Sequence, residues 1–286
     1  MSNKGAFMNR HKGFIEMRDF FSPHMSLQDR LHWIFRISLA MCFIGHGAFG
    51  IITKAEWLPY FEVASIGPEW GYRLMPLIGT MDISMGILIL FYPLRAPMLY
   101  MAGWAVWTAL LRPLAGEGIW EFFERAGNYG IPIVFLMLYG PFDGIKSLFR
   151  RIQVPGLNKH RARKIEWGLR ITIALLLIGH GAFGALMHKQ NLINHFASVG
   201  LPFGNMDPVL FLTLVGWFEI VLGLVALFKP FPAVLIFILI WKVFTELLYP
   251  ISGTPVWEFI ERFGDYGAPL ALLFLVRQKK TLQNIN

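Results

Sequence analysis

Apolar residues run along this chain in long stretches, interrupted by glycine, proline and small charged clusters. Stretches over 33–53, 72–92, 97–114 and 119–142 are followed by others over 167–187, 208–228, 231–250 and 256–276. About 20 apolar residues cross a bilayer core. The pattern therefore predicts an all-α, polytopic membrane protein with eight transmembrane helices. Residues 1–31 lack an apolar segment followed by a small-residue cleavage site, so they do not read as a signal peptide. Ser26 and Asp29 fit a helix-capping box, and the apolar pattern that follows predicts an amphipathic lead-in to the first span.

The stretches are duplicated. Trp33, Arg36 and the run Ile44-Gly45-His46-Gly47-Ala48-Phe49-Gly50 return 134 residues later as Trp167, Arg170 and Ile178-Gly179-His180-Gly181-Ala182-Phe183-Gly184. Gly79, Asp82 and Gly86 return as Gly216, Glu219 and Gly223, and Trp104 and Thr108 as Trp241 and Thr245, now 137 residues apart. The segment from Trp120 to Gly130 matches Trp257 to Gly267 at eight of eleven positions. Such ordered matches define two tandem four-helix repeats. Four spans each is an even number, so the repeats share one orientation. The divisions expected are an amphipathic arm over 1–31, a first unit over 32–145, a basic linker over 146–165, a second unit over 166–276 and a tail over 277–286.

Composition sharpens this picture. Only 15% of residues are charged and 55% are hydrophobic, with a mean hydropathy of +0.51. Soluble domains carry about 25% charged residues, which argues against an ordinary cytosolic enzyme or a disordered chain. The net charge is +8, and residues 146–164 hold seven basic residues and no acid. Their place between apolar segments matches the positive-inside rule. It implies a lipid partner, not nucleic acid, with both termini and the linker on the cytoplasmic side of the cell (inner) membrane. Cys42 is the single cysteine, so no intrachain disulfide or cysteine-held metal centre can form.

Candidate chemistry sits at matching places in the two copies. His46 and His180 are each flanked by glycines past the middle of a span. They can serve as helix-contact residues, as contacts for a quinone or a proton, or as haem b ligands. One histidine per half is a sparse ligand set, which favours quinone over haem; no metal site is expected. Asp82 and Glu219 lie mid-span on glycine stripes and should face the bundle, toward Arg36 and Arg170 or toward the histidines. Glu121, Glu124 and Arg125, with their counterparts Glu258, Glu261 and Arg262, are retained in both copies although they precede short, Gly/Pro-broken spans. Broken spans at matching repeat positions point to a binding site. The expectation is two separate pockets, each built from one half's own histidine, carboxylate and Glu-x-x-Glu-Arg segment. The copies differ at Arg112 against Tyr249, Ala105 against Lys242 and Ala109 against Glu246. One copy can therefore keep a site while the other becomes scaffold.

The Arg36…Gly45-His46-Gly47 pattern, the acid-bearing glycine stripe at Asp82 and the four spans per unit resemble the DoxX-like membrane proteins. The resemblance covers both units. It implies a four-helix membrane unit that associates with other membrane subunits in redox complexes, including the small membrane subunits of thiosulfate:quinone oxidoreductase. Many DoxX-like proteins carry a lysine shortly after the His-Gly motif; here the nearest is Lys54. Three roles follow: a subunit of a quinone- or haem-linked redox complex, a non-catalytic structural or assembly subunit, or a small-molecule or proton-coupled transporter.

Overall fold

The computed structural model describes residues 25–140, 144–152, 156–202 and 204–283, and the described residues form helices without strands. Helix α1 spans Leu27–Ile51, and a short turn leads into α2, Leu58–Val63. Then come α3 (Pro68–Phe91), α4 (Arg95–Leu114), α5 (Trp120–Glu124) and α6 (Ala126–Tyr139). The second copy supplies α7 (Lys159–Ala185), α8 (Gln190–Ala197), α9 (Pro208–Phe228), α10 (Pro232–Ile251), α11 (Trp257–Glu261) and α12 (Phe263–Gln283). Helices α1, α7 and α9 start where a side chain satisfies one or two of their first N–H groups. Ser26 accepts from the Asp29 amide at 3.3 Å. Asn158 accepts from that of Arg161 at 2.8 Å, and Asp207 from that of Leu210 at 3.1 Å.

Three boundaries differ from the sequence reading, one of them late in the chain, where α12 runs on to Gln283 through most of the tail expected over 277–286. Helix α7 starts at Lys159, so the basic linker over 146–165 is helical in its last third. The stretches over 119–142 and 256–276 are each broken into a five-residue helix and a longer one, with the backbone turning at Arg125 and Arg262. Most of the arm over 1–31 lies outside the described residues.

Helices α1, α3, α7, α9 and α10 are long and apolar enough to cross a membrane. The outer face of α9 presents Leu210, Leu214, Trp217, Val221, Leu224 and Phe228, all exposed. Their spacing of three or four residues makes one continuous apolar stripe. Water would not tolerate a patch of this length, whereas lipid would. These features mark a multi-pass helical membrane protein.

The interior explains how the copies join. Helix α1 packs on α3, and α7 on α9, through glycines that bring the backbones together. A Cβ placed on Gly79 would lie 2.4 Å from the Gly47 carbonyl oxygen, and one on Gly216 would lie 2.3 Å from that of Gly181. Helix α1 also packs on α11 and α12, and α7 on α5 and α6. Each copy's histidine-bearing helix is thus clasped by the other copy's broken helix. Phe35, Leu39, Met98, Met101, Phe135, Ile173, Leu176 and Leu272 fill the shared core. At one end, Ile152 donates to the Pro93 carbonyl (3.1 Å), so the α3–α4 turn and the basic linker share that end.

Gly79→Ala should lower thermal stability in detergent by ~1–3 kcal/mol, the range for overpacking a tight interior. Gly103→Ala, where nothing lies within 4 Å of the new methyl group, should leave it nearly unchanged. Equal effects at the two positions would contradict the close α1–α3 contact.

Candidate functional site

Each histidine finds the carboxylate of its own copy. His46 Nδ1 donates to Asp82 Oδ2 at 2.8 Å, and His180 Nδ1 to Glu219 Oε2 at 2.6 Å. With Nδ1 donating, Nε2 of a neutral imidazole is an acceptor. Of the two partners expected for Asp82 and Glu219, the structure gives the histidines and not the arginines. Arg36 sits ten residues before His46, about 15 Å away along the helix. It donates to the Ile89 carbonyl (2.9 Å) and lies over the Trp33 ring. Arg170 pairs with Glu166 at 2.5 Å.

The Glu-x-x-Glu-Arg segments do not sit over their own histidines. They are exchanged between the copies, which corrects the expectation of pockets built within one half. Gly45, beside His46, abuts the backbone of Glu261, and Gly179, beside His180, abuts that of Glu124. Glycine at both places leaves no side chain to hold the other copy's segment away. The exchange creates crossed ion pairs: Arg125 Nη1 lies 2.8 Å from Glu261 Oε1, and Arg262 pairs with Glu124. All four residues are buried.

A second crossed set involves two lysines. Lys54 Nζ bonds Glu258 Oε1 at 2.6 Å, and Lys189 pairs with Glu121. Each ammonium also rests on a phenylalanine ring of its own copy, 4.1 Å from the Phe49 centroid and 3.8 Å from that of Phe183. Sequence comparison missed Lys189, because the loop that changes length falls just here and shifts the correspondence to 135 residues. These charges line a vestibule of about 540 Å³ at the end of the bundle opposite the basic linker. Burial pushes Lys189 down to about 8; Glu117 opposes the shift, while Arg112 and Arg262 add to it. In the same vestibule, burial and then Arg262 hold the α8 residue His195 below its ordinary range.

A smaller cavity of about 190 Å³ adjoins the vestibule, sharing Trp57, Tyr60, Arg112 and Arg125 with it. Its walls include Trp57, Tyr60, Phe61, Trp104 and Trp107. Its polar groups are His46, Arg112, Arg125, Asn128 and Glu261. The His46 ring stacks on Trp57, with centroids 4.6 Å apart. Asn128 donates to Glu261 at 3.2 Å, and Arg112 to Tyr60 at 3.0 Å. Trp57, Tyr60 and Asn128 carried no signal in the sequence comparison, because each stands where the second copy has a different residue type.

The matching region of the second copy is occupied by side chains. Lys242 pairs with Glu246 and lies 3.7 Å from Asp265, and Glu246 reaches Arg262 Nε at 2.9 Å. Tyr249 packs on His195, with ring centroids 4.2 Å apart. Cys42 is buried in the core, consistent with a packing role.

No family model, curated protein or solved structure matches the chain. The class defined by fold and composition is a multi-pass helical membrane protein.

Acylation of purified protein should modify Lys189 with a rate midpoint near pH 8, against 10.5 for an ordinary lysine. By linkage, the unfolded chain holds this proton more tightly, so Lys189 favours the fold increasingly as pH rises from 8 to 10.5. A midpoint at the ordinary value would contradict a half-buried, partly desolvated amine.

Proposed function

We propose that this chain is the integral membrane subunit of a quinone-linked redox complex, resembling two fused DoxX-like units, with the cavity beside His46 as its quinone site. The observation that carries the reading is the His46–Asp82 pair bordering an aromatic-lined cavity that meets a charged vestibule. A quinone needs a flat apolar slot for its ring and polar groups at its oxygens. Trp57, Trp104 and Trp107 supply the first, and His46, Asn128 and Arg112 the second.

Reducing a quinone to hydroquinone takes two electrons and two protons; oxidation of the hydroquinone returns them. In this reading, electrons pass to or from a redox group on a partner subunit. Protons move through His46: a hydroquinone hydroxyl donates to Nε2, and Asp82 stabilises the imidazolium that forms. The ion pairs of the vestibule link the cavity to water.

The same reading makes eight helices membrane-spanning, as two four-helix repeats in parallel orientation. Eight of the described helices have 14 or more residues. The basic linker and the Arg95 turn then mark the cytoplasmic side of the inner membrane, with the vestibule outside.

Protein in lipid nanodiscs should quench its tryptophan fluorescence saturably when titrated with tetramethyl-benzoquinone, and His46→Gln should weaken binding at least tenfold. Linear, non-saturating quenching, or unchanged affinity in the variant, would contradict the reading.

A further inference from the structure

We infer that the two copies have diverged into one ligand-binding copy and one self-filled copy, with Ala105 and Ala109 against Lys242 and Glu246 as the deciding positions. The ligand class rests on the quinone reading above; the inequality of the copies does not.

Four observations carry this inference. The cavity of about 190 Å³ is bounded by Ala105, Thr108 and Ala109 of α4. At the matching positions of α10, Lys242 and Glu246 are both fully buried, and they bond to each other and to Asp265 and Arg262. Methyl groups leave room there; two long charged side chains with mutual partners do not. Second, the His46 side chain is 20% exposed, whereas that of His180 is 2% exposed. One imidazole reaches open space and its counterpart is sealed.

Third, the carboxylates differ by one methylene, and the consequence is visible. Glu219 Oε1 accepts from Trp241 Nε1 at 2.7 Å. The shorter Asp82 does not reach Trp104: Asp82 Oδ1 and Trp104 Nε1 are both buried without a hydrogen-bond partner among the described residues. A buried donor and a buried acceptor left open are costly unless something polar joins them. Fourth, Asn128 of the first copy faces the cavity, while its counterpart Asp265 lies near Lys242. In the second copy Lys242, Glu246 and Asp265 partner one another, whereas the first has Ala105, Ala109 and Asn128 at those positions, around a space.

The occupant suited to that space is one planar ring bearing a hydrogen-bonding oxygen. A dry apolar cavity of ~150 Å³ is enough to hold benzene. The first-copy cavity exceeds that and adds aromatic walls, along which a ring stacks favourably.

The test compares two equivalent substitutions, Thr108→Cys and Thr245→Cys. Each threonine hydroxyl makes the same kind of bond, 3.2 Å to the carbonyl three residues earlier. Full-length protein is treated with N-ethylmaleimide, with unsubstituted protein as the baseline for buried Cys42. Thermal melts check that both variants keep the parent fold. Labelling at 108 should be at least tenfold faster than at 245. Adding Ala109→Leu to Thr108→Cys should slow labelling at 108 to the Thr245→Cys rate. Equal rates at the two positions, or faster labelling at 245, would overturn the division of the copies. Tetramethyl-benzoquinone, whose ring carbons are blocked against thiol addition, should protect position 108. Fast labelling at 108 without such protection would leave the open copy standing and overturn the quinone reading instead.

Discussion

Two carboxylate–guanidinium pairs, Glu124 with Arg262 and Arg125 with Glu261, cross between the copies in the interior and fix how the two halves interlock. A buried charge that loses its partner costs several kcal/mol. Each broken helix is therefore anchored across the copies, through a carboxylate and a guanidinium that each pair with the other copy, while Arg125 and Arg262 also contact Glu124 and Glu246 of their own. The glycines beside His46 and His180 make the crossing sterically feasible, because any side chain there would collide with the opposing backbone. Packing and electrostatics thus select the same interlocked arrangement.

The site follows from that arrangement. Glu261 arrives at the first-copy cavity from the second copy, and it orients Arg125 and Asn128 there. On the other side, Arg262 is drawn toward Glu124, Glu246 and Glu258, and the cluster that fills the second copy grows around it. One repeated sequence pattern therefore yields an open polar-floored cavity where position 109 is alanine and a packed ionic cluster where its counterpart is Glu246. Lys54 and Lys189 close the crossing at the vestibule, each bound to an acid of the other copy.

Much of this was legible in the residues. The apolar runs and the cap at Ser26 locate helix positions, and the glycine stripes through Gly79 and Gly216 mark two of the close helix contacts. The pairing of His46 with Asp82 was one of two partners the stripe allowed, and distance along α1 rules out Arg36 for the same contact. The exchange of the Glu-x-x-Glu-Arg segments was not legible, because a repeat shows what each copy contains and not which copy it touches. Lys189 was hidden by the loop of changed length. The difference between Ala105 and Lys242 was visible, but only packing shows that one leaves a cavity and the other fills it.

If crossed ion pairs hold the copies together, a double-mutant cycle on Arg125→Met and Glu261→Gln will show it. Stability would be measured by denaturant unfolding in detergent for the parent, both single variants and the double variant. Each single variant should lose ~3–5 kcal/mol, the cost of stranding a buried charge. The double variant should be more stable than the sum of the two losses allows, with a coupling above about 1 kcal/mol. Losses that add to within about 0.5 kcal/mol would contradict a direct interaction between the copies and the account built on it.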